Sequence, residues 1–191
     1  DDLHDIRRNG VAQAIVRARR NGATVMGICG GYQLMGERVS DPNHVEGEQE
    51  SLPGLGLLPV VTEMQGEKVT RQVRFTLHGR DEAMEGYEIH MGKTERRPGT
   101  SALPLNRLAD GTDEGCWAGP GCMGTYIHGI LDNPAFVDFL LEPHRAKLSA
   151  GASRFDYHQF KEQQYDKLAD HVRKYVNLPL LYEILTTNRH D

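Results

Sequence analysis

The sequence predicts an α/β domain with a helical extension at its C-terminal end, and three observations lead there. An apolar run, ATVMGIC, ends in a cysteine followed at once by two glycines and then by the helical pattern GYQLMGERV. The middle of the chain holds segments punctuated by Gly and Pro that read as β-strands. The final segment, from about Asp156 to Leu185, repeats apolar residues at helical spacing.

The chain opens DDLHDIRRNGVAQAIVRARRNG, with no initiator Met and a helix already under way, which reads as a fragment. Leu3, Ile6, Val11, Ala14, Ile15 and Ala18 predict one helix running across Gly10, with basic residues late, as the helix dipole prefers. Asn21-Gly22 is its stop signal. A buried strand over ATVMGIC and a helix over GYQLMGERV then put Cys29 at a strand-to-helix turn. LPGLGLLPVVTEM, VTRQVRFTLHG and the region of GYEIHMG read as strands, and CWAGP and CMGTYIHG as two more joined by a tight Gly-Pro-Gly turn. Asn133 is a candidate N-cap with Pro134 at the first helical position. In the terminal helix Phe160, Tyr165, Leu168, Val172, Tyr175 and Val176 form one stripe, which Pro179 should interrupt. The polar stretch LSAGASRFD reads as a linker, dividing the chain into a domain over residues 1–147 and an extension of the same domain over 148–191.

Composition removes several classes of function. The 191 residues suit one domain of ordinary size, and three cysteines without a signal-like segment favour a reducing, cytoplasmic setting. A formal charge of −5 gives no broad attraction for phosphate or anionic lipid, and no apolar run approaches the roughly 18 residues of a membrane span. Nucleic acid and membrane are therefore not expected partners.

Gly27-Ile28-Cys29-Gly30-Gly31 has the form of a nucleophile elbow with cysteine as nucleophile. The glycines permit a tight turn and leave the sulfur uncovered, and the following helix N-terminus favours a thiolate, so the thiol is expected below its ordinary pKa of about 8.5. The competing reading is a buried structural cysteine. Such a nucleophile needs a base, and among nine histidines His128 stands out, ending the run GTYIHG at an apparent strand end. His4, His44, His144, His158, His171 and His190 lie in polar or helical surroundings, whereas His78 and His90 are harder to set aside.

Taken in order, GICGGYQLMG, VEG, PGLGLLP, GYEIHMGKT and GTYIHGILDN resemble the C-terminal glutaminase half of the cobyric acid synthases, members of the class I glutamine amidotransferases. The resemblance covers most of the chain and implies a flavodoxin-like α/β sandwich whose N-terminal strand and oxyanion loop are missing here. It implies that Cys29 attacks the carboxamide of glutamine, that His128 moves the protons and that the Gly30 N–H stabilises the oxyanion. Gln33, four residues after the nucleophile, would meet the substrate, and backbone at Met91 and Gly92 would hold its amino-acid end. His90 is the second choice of base, against an ordinary hydrogen-bonded strand histidine. The chain departs from the wider superfamily where a glutamate usually stands two residues after the catalytic histidine: here that residue is Ile130. Asp132, Glu88 or a group of the synthetase half are candidates to orient His128 instead.

The resemblance further implies an N-terminal synthetase domain that uses ATP and magnesium to amidate corrinoid carboxylates with the ammonia released. No phosphate-cradling Gly-rich Lys-Ser/Thr loop occurs in these residues, so no cofactor or metal is expected in this piece. Three other readings stand beside this one. Cys116, Cys122 and His128 could hold zinc, although their gaps do not match paired Cys-x-x-Cys ligands. A related amidotransferase, such as a cobyrinic acid diamide synthase or the glutaminase of peptidoglycan amidation, shares the CGGY elbow. Lastly, the isolated piece could be a catalytically silent docking domain.

Overall fold

The computed structural model describes residues 2–47, 50–147 and 157–187, and the chain divides into two compact units, Asp1–Ala152 and Ser153–Asp191. The stretch LSAGASRFD lies outside the described residues. In place of the single opening helix there are two, α1 (Asp2–Arg8) and α2 (Val11–Arg20), because Gly10 takes a left-handed φ of 83° that no helix interior accepts. Strand β1 (Val25–Ile28) leads into α3 (Gly30–Met35), and the helix ends before Gly36, shorter than GYQLMGERV predicts. Arg38–Ser40 instead forms β2, followed by β3 (Ser51–Pro53).

The long strand β4 (Val60–Leu77) pairs antiparallel with β5 (Met84–Arg96). Their register breaks between Met64, opposite Gly92, and Val69, opposite His90, so Gln65 to Lys68 face Met91 alone. Burial records the slip: Val60, Thr62 and Met64 are buried before it, and Val73, Phe75 and Leu77 after it. Even positions give way to odd ones, as a bulge dictates when side chains alternate with period two. Short strands β6 (Asn106–Leu108), β7 (Asp113–Glu114), β8 (Cys116–Trp117), β9 (Cys122–Thr125) and β10 (Ile127–His128) precede α4 (Pro134–Leu141).

Strand β1 runs parallel to β9, which pairs antiparallel with β8; β10 joins β5 at the edge of the second sheet, ordered β10-β5-β4-β2-β3. The chain therefore crosses from one sheet to the other at Tyr126. One apolar cluster gathers Val73, Phe75, Leu77, Ile127, Ile130 and Phe136; burying a side chain such as Phe136 completely contributes about 1.5–3 kcal/mol. A second cluster packs Tyr32, Met35, Leu58, Val60 and both Cys116 and Cys122 beneath α3. Asn133 precedes α4 at the N-cap position, but its side chain serves the loop after His128, donating to the Glu85, Gly129 and Ile130 carbonyls while accepting from Glu85 N–H.

The second unit holds α5 (Tyr157–Tyr175) and α6 (Leu178–Thr187). The break between them comes at Val176 and Asn177. Pro179 sits in the first turn of α6, where its missing N–H costs nothing, so it opens a helix and does not interrupt one.

Candidate active site

Cys29 occupies the point where β1 turns into α3. Its φ of 53° and ψ of −115° are an unusual conformation for a residue with a Cβ, one of two non-glycine residues with positive φ among those described. The turn is pinned from both sides: Cys29 N–H donates to the Thr125 carbonyl at 2.9 Å, and the Cys29 carbonyl accepts from Gln33 N–H at 3.1 Å. Gly27 must lack a side chain, because a Cβ there would sit 2.5 Å from the Gly31 carbonyl oxygen.

The sulfur lines a cavity of about 190 Å³ together with Gly30, Gln33, Met91, Ile89 and His90, and Glu46 and Lys68 complete it. Cys29 Sγ lies 3.5 Å from the Ile89 carbonyl oxygen, to which the thiol donates. Burial is the largest influence on the thiol and pushes it up; the Gly30 N–H pulls it down, and the negative charge of Glu46 pushes it up again. The net direction is upward, contrary to the thiolate that the elbow motif predicts. A half-buried sulfur loses more hydration than one N–H at the start of a six-residue helix restores.

Gln33 Nε2 donates to Tyr126 Oη at 3.3 Å, and Tyr126 Oη shares a hydrogen bond with Thr94 at 2.6 Å. Gly92 packs directly behind this amide, since a Cβ on it would lie 2.4 Å from Gln33 Nε2. Gly92 thus backs the cavity without lining it and borders a larger one of about 710 Å³, which it shares with His90, Arg71 and Glu114. The larger cavity does not include Cys29, so size alone would have misplaced the site.

His128 is not among the residues lining the Cys29 cavity. It pairs across β10 and β5 with Tyr87, on whose ring it stacks at 5.1 Å and 8°. Its Nε2 is buried and has no hydrogen-bond partner. Ile89, which touches the cysteine through its carbonyl, lies two residues along β5 from Tyr87, so both predicted catalytic groups border the same short piece of strand. His90 does line the cavity, but its ring is committed: Nδ1–H donates to the Gly92 carbonyl at 2.8 Å, Nε2 faces Glu88 at 4.0 Å, and the ring stacks on Tyr126 at 3.8 Å. Glu88 binds Arg71 Nε at 2.6 Å on the opposite face of β5 from Tyr87 and does not reach His128. Asp132 Oδ2 lies 3.8 Å from where a Cβ on Gly129, the residue after His128, would stand.

The remaining sequence candidates separate from the site. Cys116 and Cys122 are buried in the apolar cluster, and burial pushes Cys116 up to about 11, as expected of packing residues. His144 meets Thr24 at 2.9 Å. The side chains of His4 and His158, and His190 entirely, lie outside the described residues.

Sequence reasoning missed Lys68 and named Glu46 only within the VEG motif. Glu46 arrives on a loop organised by Asp41, a buried carboxylate that accepts from Val45, Glu46 and Gly47 N–H at 2.7, 2.9 and 3.0 Å. Desolvation pushes Asp41 up, but the backbone donors, Glu46 first, outweigh it and hold the carboxyl below its usual range. A depressed folded pKa contributes stability above the unfolded value of about 3.9, which is lost as pH falls through the lower folded one. Urea unfolding followed into acid is expected to show this loss, and Asp41→Asn to flatten it.

Residues 1–136 match the model of the CobB/CobQ-like glutamine amidotransferase domain. The chain belongs to that family. The chain is 66% identical over 187 residues to the cobyric acid synthase of Bacteroides fragilis and 61% identical over 188 residues to that of Phocaeicola vulgatus, with 98% of it covered in each case. It spans only 37% and 38% of those relatives' lengths. A crystal structure of a glutamine amidotransferase superposes with a TM-score of 0.52 at 20% identity, over 72% of this chain and 69% of that one, which places the fold in the class I amidotransferase α/β type. Among the described residues, no helix is long and apolar enough to cross a membrane.

Proposed function

We propose that this chain is the glutaminase half of a cobyric acid synthase, releasing ammonia from glutamine for ATP-dependent amidation of corrinoid carboxylates, from adenosylcobyrinic acid a,c-diamide to cobyric acid. The observation that carries the reading is the strained Cys29 elbow opening its sulfur into a cavity with Gly30, Gln33 and Met91. His128 takes the thiol proton as Sγ attacks the carboxamide carbon, and the Gly30 N–H stabilises the resulting oxyanion. The tetrahedral adduct collapses to a γ-glutamyl thioester as His128 returns the proton to departing ammonia. Water activated by His128 then releases glutamate and restores the thiol. ATP and magnesium belong to a synthetase half, which receives the ammonia and binds the corrinoid. Catalytic hydrogen bonds are often long or misaligned without substrate, which accommodates the present stacking of His128 on Tyr87.

The test is alkylation of the full-length polypeptide by 6-diazo-5-oxo-norleucine, mapped by peptide mass spectrometry. Adduct confined to Cys29 and prevented by excess glutamine is expected. Absence of an adduct at Cys29 would overturn the catalytic reading and favour a docking role.

A further inference from the structure

We infer that the two terminal helices, α5 and α6, are the element by which this chain docks onto the synthetase half of the same polypeptide, α6 entering an apolar groove there. The inference rests on the reading of the chain as one half of a synthase and adds the surface that joins the halves. No described residue of either helix is buried. Yet at about 100° per residue Leu178, Leu180, Leu181, Tyr182, Ile184 and Leu185 take more than half of the α6 circumference. Pro179, Glu183, Thr186 and Thr187 share the remainder. Tyr182 is 64% exposed and Leu185 59%. In α5, Tyr165, Leu168, Val172 and Tyr175 form one exposed stripe, with Asp166, Asp170, Arg173 and Lys174 on the other side. A ten-residue helix is marginal in water and takes its stability from packing an apolar face, and one apolar over most of its surface belongs in a protein interior. These helices call for a cover.

The match to the amidotransferase-domain model stops at residue 136, whereas the identity to the cobyric acid synthases covers 98% of the chain and so includes both helices. The helices thus go with the synthases and not with the amidotransferase domain as such. The chain spans only 37% and 38% of those synthases, so a larger body on the same polypeptide is there to supply the groove. Tethering makes the encounter intramolecular, and a modest apolar contact then suffices. Two other occupants fit less well. In a pair of α6 helices from two copies, each would cover only a narrow seam of the other and leave much of the apolar arc in water. A helix that lies on a lipid surface carries Lys or Arg on its polar face, and α6 has neither. A helix held in a groove is anchored by apolar residues three to four apart, the spacing of Leu178, Leu181 and Leu185, with Tyr182 beside them.

Photo-crosslinking of the full-length polypeptide carrying Tyr182→p-benzoylphenylalanine, mapped by peptide mass spectrometry, tests the assignment together with amide hydrogen exchange over residues 178–187. Crosslinks to peptides of the synthetase half are expected, formed within one polypeptide and independent of protein concentration, with exchange over α6 as slow as in a packed helix. Leu181→Asp combined with Leu185→Asp should abolish both signals, while exchange over residues 1–136 stays at wild-type rates and so checks folding. Absence of crosslinks to the synthetase half, crosslinks to residues 1–152 or between two polypeptides in its place, fast exchange over α6, or signals untouched by the double variant would each overturn the inference. Corrinoid amidation by the wild-type polypeptide with added ammonium is measured separately. Its absence would remove the synthase reading, which the crosslink positions do not measure.

Discussion

His128→Asn is expected to lower glutamine-dependent turnover of the full-length enzyme by about 10²- to 10⁴-fold, the usual contribution of a positioned acid-base group, while amidation driven by added ammonium salt continues. The size of the effect follows from the state of the nucleophile. Burial and Glu46 push the Cys29 thiol up, so near pH 7 the sulfur carries its proton and cannot attack until a base removes it. An elbow that stabilised the thiolate outright would need that base less. His128 offers a buried Nε2 with no other partner, and it pairs with Tyr87, two residues along β5 from the Ile89 carbonyl that accepts from Cys29. Asparagine keeps a polar side chain of similar reach but cannot cycle a proton. His90→Asn is the necessary control, since His90 lines the cavity itself. Its ring is held by Gly92 and Tyr126, so its loss should mainly weaken glutamine binding. A collapse of turnover in His90→Asn with little change in His128→Asn would move the proton carrier to His90.

Local signals in the sequence reached the elements that make this site, but not how they are joined. Gly27-Ile28-Cys29-Gly30-Gly31 announced a strained turn because only small neighbours tolerate it, and Cys29 does adopt a positive φ. The state of its thiol was not legible, since it depends on burial and on Glu46, a residue brought in by a loop that Asp41 organises. Lys68 escaped notice because it stands in a run of exposed polar residues whose meaning depends on register. VVTEM and VTRQVRFTL look like separate strands, yet they form one strand bent around a bulge. The sheet switch at Tyr126 was equally hidden: GTYIHG reads as one continuous strand because both halves are apolar, and only pairing partners reveal that Thr125 and Ile127 belong to different sheets. Gly10 and Pro179 mislead in a simpler way: periodicity runs one helix across Gly10 where the chain breaks into two, and it sets at Pro179 a break that falls just before it, at Val176 and Asn177.

That switch is held by a buried carboxylate, and Glu114→Ala is expected to destabilise the fold by about 3 kcal/mol or more. Glu114 Oε1 accepts from Tyr126 N–H at 2.7 Å; Oε2 accepts from Thr125 Oγ1 and Asn106 Nδ2, both at 2.7 Å. Thr125 Oγ1 in turn accepts from Ile127 N–H at 3.0 Å. Removing the carboxylate strands several donors where water has no ready access, and each unsatisfied buried group costs about 1–3 kcal/mol. The loss should extend to catalysis, because Thr125 pins the Cys29 turn through its carbonyl and Ile127 leads directly to His128. Glu114→Gln separates charge from shape: its amide matches the carboxylate outline but turns one acceptor into a donor facing another donor. Burial pushes the Glu114 carboxyl up, the Tyr126, Asn106 and Thr125 donors pull it back, and Glu88 pushes it up again, for a net rise. A raised folded pKa means that the native state binds more protons than the unfolded chain above about pH 4.3, so this group's contribution is complete below that pH and is lost as pH rises through its folded value. Urea unfolding across that window should therefore show a declining stability difference between low and neutral pH in the wild type, and a flatter one in Glu114→Gln. Equal slopes in the two proteins, or full stability in Glu114→Ala, would mean that the sheet crossing is secured by the apolar packing of Ile127 and Ile130 and not by this carboxylate.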